Sequence, residues 1–463
     1  MLMELRIDRQ ALVPVVQQIV DALNCWLRCN EVSPGARLPS VRQIARINLL
    51  SQATVIEACE RLVAQGVLVS RHGSGFFVAA AQPMTQTQPD TSWFEGAQIK
   101  QGPRLCELKL GCGGLPESWR ETDDLSYAIR EVSRTDMAGL FNYSTPLGLP
   151  ALRLQILKRL QQLDIKADDS RVLTTAGASQ GLDLIVRTLF KPGDCVVVES
   201  PGYPLLFDLL RLHGIRMLEV PRTPCGPDVI ALQALLLKHQ PRGLFINSFY
   251  QNPTGSSLTL TVAQRVLQLA KTHGVLVIED DVYADLHGSP GTRLAALDDS
   301  VIYVSSYSKT LSSSLRVGFV VAGAEQIARL AQVKMISSMG ASRFCESVLA
   351  CLLANGAYRK LVQRQRQRLN SDRMAALQLL EDADWEVFGK PLGGLFIWAR
   401  SRMTDYAGVR TQAQRFGVLL SSTTAFSPGG VANDWQRINV AYACDPRARA
   451  FFQATAPDRP QAF

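Results

Sequence analysis

The sequence predicts a two-part molecule: a small helical unit closed by a β-hairpin, then an α/β unit with a mostly parallel central sheet and a smaller C-terminal α+β subdomain. Three observations carry this. At 463 residues the chain is about three times the usual single-domain size. Its first 78 residues hold three helical periods and two short apolar runs around a glycine-bearing turn. After a polar stretch, helical patterns alternate with short β-rich runs, as expected for strands joined by crossover helices.

From Pro14 to Arg28, Val15, Val16, Ile19, Val20, Leu23 and Leu27 recur at helical spacing behind a proline suited to a helix start. Ser33-Pro34-Gly35 breaks the chain. Ser40 is placed to cap a second helix to about Ile47, with Val41, Ile44 and Ala45 inward, and Ser51 a third to about Gln65, stopped by Gly66. Val67–Val69 and Phe76–Val78 flank Arg71-His72-Gly73-Ser74-Gly75 and read as two strands joined by a turn. Residues 1–78 are therefore one domain. Residues 79–103, with repeated Gln, Pro and Thr, read as a linker, and a flexible coil of that length averages roughly 25–30 Å end to end. Residues 104–325 form the large domain, with strands predicted at 195–198, 243–246, 275–278 and 301–304, each followed by a polar loop of the kind that binds ligands. Residues 326–463 begin with long helices and end with strand-like Leu395–Trp398 and Ile438–Val440, a smaller α+β subdomain.

The net charge of +8 favours an anionic partner, nucleic acid or a phosphorylated cofactor, without choosing between them. Much of the excess lies between Arg359 and Arg373, read as a solvated helix face. The ten cysteines are scattered with no CxxC or Cys/His cluster, so no metal site is expected, and Cys25 and Cys29, one turn apart, read as small hydrophobes. With no signal peptide or membrane-length apolar run, a reducing cytoplasmic setting is expected and no membrane partner.

In a helix-turn-helix the second helix lays its N-terminal side chains against base edges of double-stranded DNA. Here that helix opens with Ser51, Gln52, Ala53 and Thr54. Gln52 suits a two-pronged contact with adenine, and Ala53 or Thr54 a thymine methyl. Arg37, Arg42 and Arg46 are placed for phosphates, Arg71 and His72 for a groove. Spacing alone leaves a plain three-helix accessory domain equally open. However, PGARLPSVRQIA at 34–45, SQATVIEACERLVAQG at 51–66 and GSGFFV at 73–78 closely resemble the GntR-type winged helix-turn-helix, which implies DNA binding. Gln52 stands where that family often has a basic residue.

After successive predicted strands stand Asn252 in Asn-Pro-Thr-Gly, Asp280 followed by Tyr283, and Lys309 with Arg316 seven residues on. Pyridoxal phosphate chemistry needs these types: a lysine for the Schiff base, an acid for the pyridine nitrogen and a cationic phosphate cradle. Asp280 would pair with the ring nitrogen, and Asn252 and Tyr283 would donate to the phenolic oxygen. Each alone has an ordinary explanation, as a surface lysine, an Asn-Pro turn or an acidic helix start. Their joint order argues otherwise.

Over about 140–445 the chain resembles the aminotransferase class I/II family of fold type I. The matching runs are YSTPLGLPALR from Tyr143, TTAGASQGLDL from Thr174, ESPGYP from Glu199, NPTG from Asn252, EDDVY from Glu279, SSYSK ending at Lys309, RVGF from Arg316, GGLFIW from Gly393 and RINVAYA from Arg437. The resemblance implies that Gly177, Ala178 and Ser179 bring helix N-terminal amides to the cofactor phosphate, with Ser306, Ser308 and Arg316 completing the cradle. It further implies that Tyr203 stacks on the ring, Tyr143 reaches a phosphate across a dimer interface, and Arg437 clasps a ligand carboxylate.

A GntR-type head on an aminotransferase-like body resembles the MocR subfamily of regulators. That implies a head-to-tail homodimer whose large domain senses an amino acid or a B6 vitamer and so changes its hold on a DNA operator. The competing readings are a working aminotransferase with an accessory DNA module and an interaction scaffold without cofactor. Turnover with a keto-acid acceptor, measured beside DNA binding, separates the first two.

Overall fold

The computed structural model describes residues 5, 14–29, 32–71, 74–79, 108–116, 119, 122–286, 291–402 and 405–456, apart from the side chains of Cys25, Arg28, Cys29, Thr122 and Ala138. His72, most of the expected linker and the Cys25 and Cys29 side chains therefore lie outside the described residues. The chain divides into two compact units, Met1–Trp93 and Phe94–Phe463.

In the first unit, α1 (Val15–Cys29), α2 (Val41–Ile47) and α3 (Gln52–Ala64) enclose a core to which α1 supplies Ile19, Val20, Leu23 and Leu27. Ser40 Oγ accepts from Gln43 N at 3.2 Å and Ser51 Oγ from Thr54 N at 3.1 Å, so both serines cap as expected. Ile44 and Ala45 are buried, and Val41 is half-buried against the same core. The hairpin pairs β1 (Leu68–Arg71) with β2 (Gly75–Val78) in antiparallel register, Leu68 opposite Val78.

The second unit opens with α4 (Thr122–Thr135), α5 (Pro150–Gln162), β3 (Val172–Thr175), α6 (Ala178–Leu189), β4 (Cys195–Ser200) and α7 (Pro204–Leu212). There follow β5 (Arg216–Thr223), β6 (Gly226–Pro227), α8 (Val229–His239), β7 (Gly243–Asn247), α9 (Leu260–His273), β8 (Leu276–Asp280) and α10 (Leu294–Leu297). Next come β9 (Ile302–Ser306), β10 (Gly318–Val321), α11 (Ala324–Ser338), α12 (Arg343–Ala354) and α13 (Ala357–Asp382). The eight strands β3 to β10 make one sheet, ordered β3-β10-β9-β8-β7-β4-β5-β6, in which β10 and the short β6 run against the rest.

Apart from β5, the strands of this sheet are buried on both faces, which explains their continuous apolar runs. Val197, Leu244 and Val277 point into one core, and Val196, Val198, Phe245 and Ile278 into the other. The smaller lobe pairs β11 (Trp385–Val387), β12 (Phe396–Ser401) and β13 (Gln436–Asn439) antiparallel. Its core takes Leu369, Ala376 and Leu380 from α13, and also Leu108 and Leu110.

Two expectations need correction. The predicted boundary at 326 cuts across the large core: Ile327 and Leu330 of α11 pack on one face of the main sheet, and Val348 and Leu349 of α12 on the other. The small lobe is instead built mainly from the two ends of the second unit, residues 108–119 and 369–456, with α13 running from one core into the other. The basic run of α13 is also not simply a solvated face. Arg366 donates to the Asp285 carbonyl at 2.7 Å, Arg368 lies 5.7 Å from the Trp119 ring centre, and Arg373 donates to the Leu392 carbonyl.

Candidate functional site

The carboxyl ends of the parallel strands open onto a cavity of about 480 Å³. Ala178, Ser179, Tyr203, Asn252, Asp280, Tyr283, Ser306, Ser308, Lys309 and Arg316 line it, ten of the thirteen residues expected around the cofactor and its ligand. Three do not. Gly177 lies just behind the wall, Arg437 donates to Asn252 from the small lobe, and Tyr143 is exposed at 74% on this single chain.

β8 and β9 end later than predicted, which makes Asp280 and Ser306 the last residues of their strands rather than loop residues. Asp280 Oδ1 accepts from Val282 N at 3.3 Å. Burial pushes its carboxyl up to about 7, against the opposing pull of that amide and of nearby Lys309. Lys309 donates from Nζ to the Gly113 carbonyl at 3.2 Å. Burial and then the Arg437 charge lower its proton affinity, so its amine is easier to neutralise than a surface lysine's.

Facing these groups is the N-terminus of α6, whose cap, Gly177, supplies no side-chain hydrogen bond. Arg316 donates to the Ala176 carbonyl at 3.1 Å and Ser308 Oγ at 3.4 Å. Ser306 Oγ accepts from Ser308 N at 3.1 Å and donates to the Val317 carbonyl at 3.2 Å. An N-terminal helix turn, a guanidinium and two hydroxyls in one corner form an anion cradle. Burial lifts the Tyr203 phenol to about 12, and Tyr283, buried edge-on against Phe396 at 5.7 Å, is raised further, so both stay neutral donors.

Arg437 is 9% exposed, and among the described residues no carboxylate lies within ion-pair distance of it. It donates from Nη1 to Asn252 Oδ1 at 2.8 Å, from Nη2 to the Gly111 carbonyl at 2.7 Å and from Nε to the same carbonyl at 3.1 Å. Its guanidinium lies between the Phe396 and Phe426 rings, 4.8 and 4.9 Å from their centres. A carboxylate arriving here would meet a desolvated cation held mainly by neutral acceptors.

Sequence reasoning missed Gly113, Asn247, Trp119 and Gln365, all of which line the cavity. A Cβ on Gly113 would stand 3.8 Å from both Lys309 Nζ and the Arg437 guanidinium, so the glycine pair 113–114 was the one available signal. In the first unit Arg37, Arg42, Arg46, Arg71, Gln52 and Ala53 are exposed. Thr54, half-buried, is engaged with the capping Ser51, their hydroxyls 2.6 Å apart, and Arg71 ends β1 with its guanidinium 4.6 Å from the Phe77 ring centre. Ser51 and Thr54 therefore present occupied hydroxyls, leaving Gln52 and Ala53 as the open positions.

A lysine and a carboxylate at the ends of parallel strands, opposite a helix N-terminus with a guanidinium, define an aminotransferase-like domain, here joined to a helix-turn-helix unit. The sequence profile of aminotransferase class I and II matches residues 107–449, and that of the gntR family of bacterial regulatory proteins matches residues 15–78. The chain belongs to the aminotransferase class I and II family and has the two-part architecture of MocR-type regulators. It is 26% identical to the HTH-type transcriptional regulator YisV of Bacillus subtilis, covering 84% of this chain and 85% of that one. It is 31% identical to 2-aminoadipate transaminase of Thermus thermophilus, covering 69% of this chain and 80% of that one. Among solved structures it resembles LysN, the alpha-aminoadipate aminotransferase of Thermus thermophilus complexed with N-(5'-phosphopyridoxyl)-L-leucine. That match has a TM-score of 0.69 and 26% identity, covering 75% of this chain and 92% of that one. No helix among the described residues is long and apolar enough to cross a membrane, and no described cluster of His, Cys, Asp or Glu could hold a metal ion.

Proposed function

We propose that this chain is a cytoplasmic transcription regulator that binds an operator through residues 1–78 and takes pyridoxal 5'-phosphate, with an amino acid as effector, in its aminotransferase-like domain. The observation that carries the reading is Lys309 and Asp280 in one cavity with Arg316 and the N-terminus of α6, whose Gly177 cap has no side chain to occupy it. The cavity residues fit the cofactor: Gly177, Ala178, Ser179, Ser306, Ser308 and Arg316 would hold the phosphate, Asp280 the ring nitrogen, Asn252 and Tyr283 the phenolic oxygen, and Tyr203 the ring face. When bound, the cofactor supplies an aldehyde that condenses with amines and a ring that withdraws electrons.

The chain's own groups do the rest. Lys309 offers its amine to the aldehyde, Asp280 holds a proton at the ring nitrogen, and Arg437 orients a carboxylate within reach of Lys309. Tyr143 completes the cradle of a second copy in a homodimer. Ligand-dependent DNA affinity follows only if the effector prefers one arrangement of the two DNA-binding units over another.

The test is an absorbance and borohydride-trapping experiment on wild type and Lys309→Ala, run beside operator binding. Wild type should show the visible band of lysine-bound cofactor and retain it covalently after reduction; the variant should do neither and remain folded. A variant that still traps the cofactor overturns the lysine assignment. A second reading, a working transaminase, is favoured by Arg437 having no carboxylate partner among the described residues, and multiple turnovers with a keto acid would establish it.

A further inference from the structure

Asn247 ends β7 between the carboxyl ends of β4 and β8, and all four of its polar backbone and amide groups are engaged. Its Nδ2 donates to the Asp280 carbonyl at 2.6 Å, and its Oδ1 accepts from Asn252 N at 3.0 Å. On the other side its backbone N–H donates to Glu199 Oε2 at 2.9 Å, and its carbonyl accepts from Arg222 Nη1 at 3.0 Å. Glu199 and Arg222 form a buried ion pair, anchored further by Arg222 donating from Nε to Ser256 Oγ at 3.0 Å.

Each of these bonds has a consequence for the site. The Asp280 carbonyl lies at the strand end from which the Asp280 carboxylate projects into the cavity. Asn252 carries the Oδ1 that Arg437 grips at 2.8 Å. One side chain thus ties the acid meant for the ring nitrogen to the turn that sets the arginine meant for the carboxylate. Its amide does so with two separate atoms, so the two ties can be cut independently. Asn247 is half-buried at the cavity wall, so a backbone group that loses its side-chain partner is only partly resolvated and the loss is felt at the site.

We infer that Asn247 is a positioning residue that holds the Asp280 strand end through Nδ2 and the Asn252–Arg437 pair through Oδ1, coupling the cofactor pocket to the carboxylate pocket. This rests on the proposed reading of the cavity as a pyridoxal phosphate site. Asn247→Asp keeps the acceptor and loses the donor, whereas Asn247→Ala loses both.

The experiment uses the full chain loaded with pyridoxal phosphate and follows the pH titration of its visible band, with and without propionate, a carboxylate that carries no amine. In wild type, propionate on Arg437 should move the midpoint to higher pH. Asn247→Asp should bind cofactor roughly tenfold more weakly, with a displaced midpoint, yet keep the propionate response. Asn247→Ala should lose cofactor affinity to a similar degree and the propionate response as well. Wild-type behaviour in both variants, or equal loss of both properties in the two, overturns the inference; so does a wild type indifferent to propionate. A wild type that takes up no cofactor overturns the reading of the cavity instead.

Discussion

The guanidinium of Arg316 lies against Gly177 so closely that a Cβ on the glycine would stand 2.5 Å from Nη2. Gly177 has φ +82° and ψ 169°, a conformation almost confined to glycine, and it is the cap of α6. Gly177→Ala therefore costs backbone strain of about 1–3 kcal/mol and pushes the cradle's cation aside. Binding of pyridoxal phosphate should weaken by roughly ten- to a hundredfold, while pyridoxal, which lacks the phosphate, should bind as before. Equal losses for both would show that the glycine supports the fold and not the cradle.

Asp280 gives a pH signature. Its carboxyl is raised from 3.8 to about 7 by burial, so the folded protein without cofactor holds a proton that the unfolded chain has released. This contribution is greatest below pH 4 and is lost as pH rises to about 7, at up to about 1.4 kcal/mol per pH unit. Glu279, raised to about 7 mainly by burial, acts in the same direction. Denaturant unfolding of wild type and Asp280→Asn across pH 4 to 8 should show wild type losing stability relative to the variant up to about pH 7 and a constant difference above it. Cofactor affinity should rise through the same region as the carboxylate forms to meet a cationic ring nitrogen. A pH-independent difference between the two proteins would mean that Asp280 is ionised throughout.

The residues legible in the sequence are those whose chemistry and neighbours along the chain suffice. Val196–Val198, Leu244–Ile246 and Val277–Ile278 read as strands because both of their faces are buried. β5 was missed because Arg216, Glu219 and Arg222 interrupt it, and only topology shows that its Arg222 turns inward to Glu199. β3 and β10, four residues each, are too short for a period to emerge. Lys309, Asp280 and Asn252 were found because each stands in a motif. Asn247 and Gly113 were not, since the role of one depends on β4 and β8 lying to either side, and the other meets Lys309 across 196 positions.

The two kinds of DNA contact separate by salt and sequence. Arg42 is exposed on α2 and Gln52 is exposed at the first position of α3 beside its cap. Arg42→Ala should weaken binding to operator and random duplex alike, lowering the slope of log affinity against log salt by about one. Gln52→Ala should instead relax preference at one base pair, costing roughly 1–3 kcal/mol on the best site and little on random DNA. Filter binding or anisotropy over a salt series measures both. If the two variants weaken specific and random DNA equally, the N-terminus of α3 is not the reading edge.

The effector is decided at Arg437. With Nη2 and Nε both on the Gly111 carbonyl, Nη2 also 3.3 Å from Ser421 Oγ and Nη1 on Asn252, each guanidinium nitrogen donates to a neutral oxygen while the group lies buried between two aromatic rings. Burial lowers its proton affinity, and among the described residues no carboxylate lies within ion-pair distance of it. A charge-assisted, two-pronged bond to a carboxylate is stronger than bonds to carbonyls, so an amino acid can displace the Gly111 contact. A B6 vitamer carries no carboxylate and would fill the cradle at Arg316 without involving Arg437. Operator affinity should therefore be titrated for wild type and Arg437→Ala, free and cofactor-loaded, across a panel of amino acids. If an amino acid is the signal, wild type loaded with cofactor should shift its operator affinity on adding the right one, and Arg437→Ala should lose that shift while still taking up cofactor. A change on adding cofactor alone, equal in both proteins and indifferent to every amino acid, would instead make the cofactor the signal.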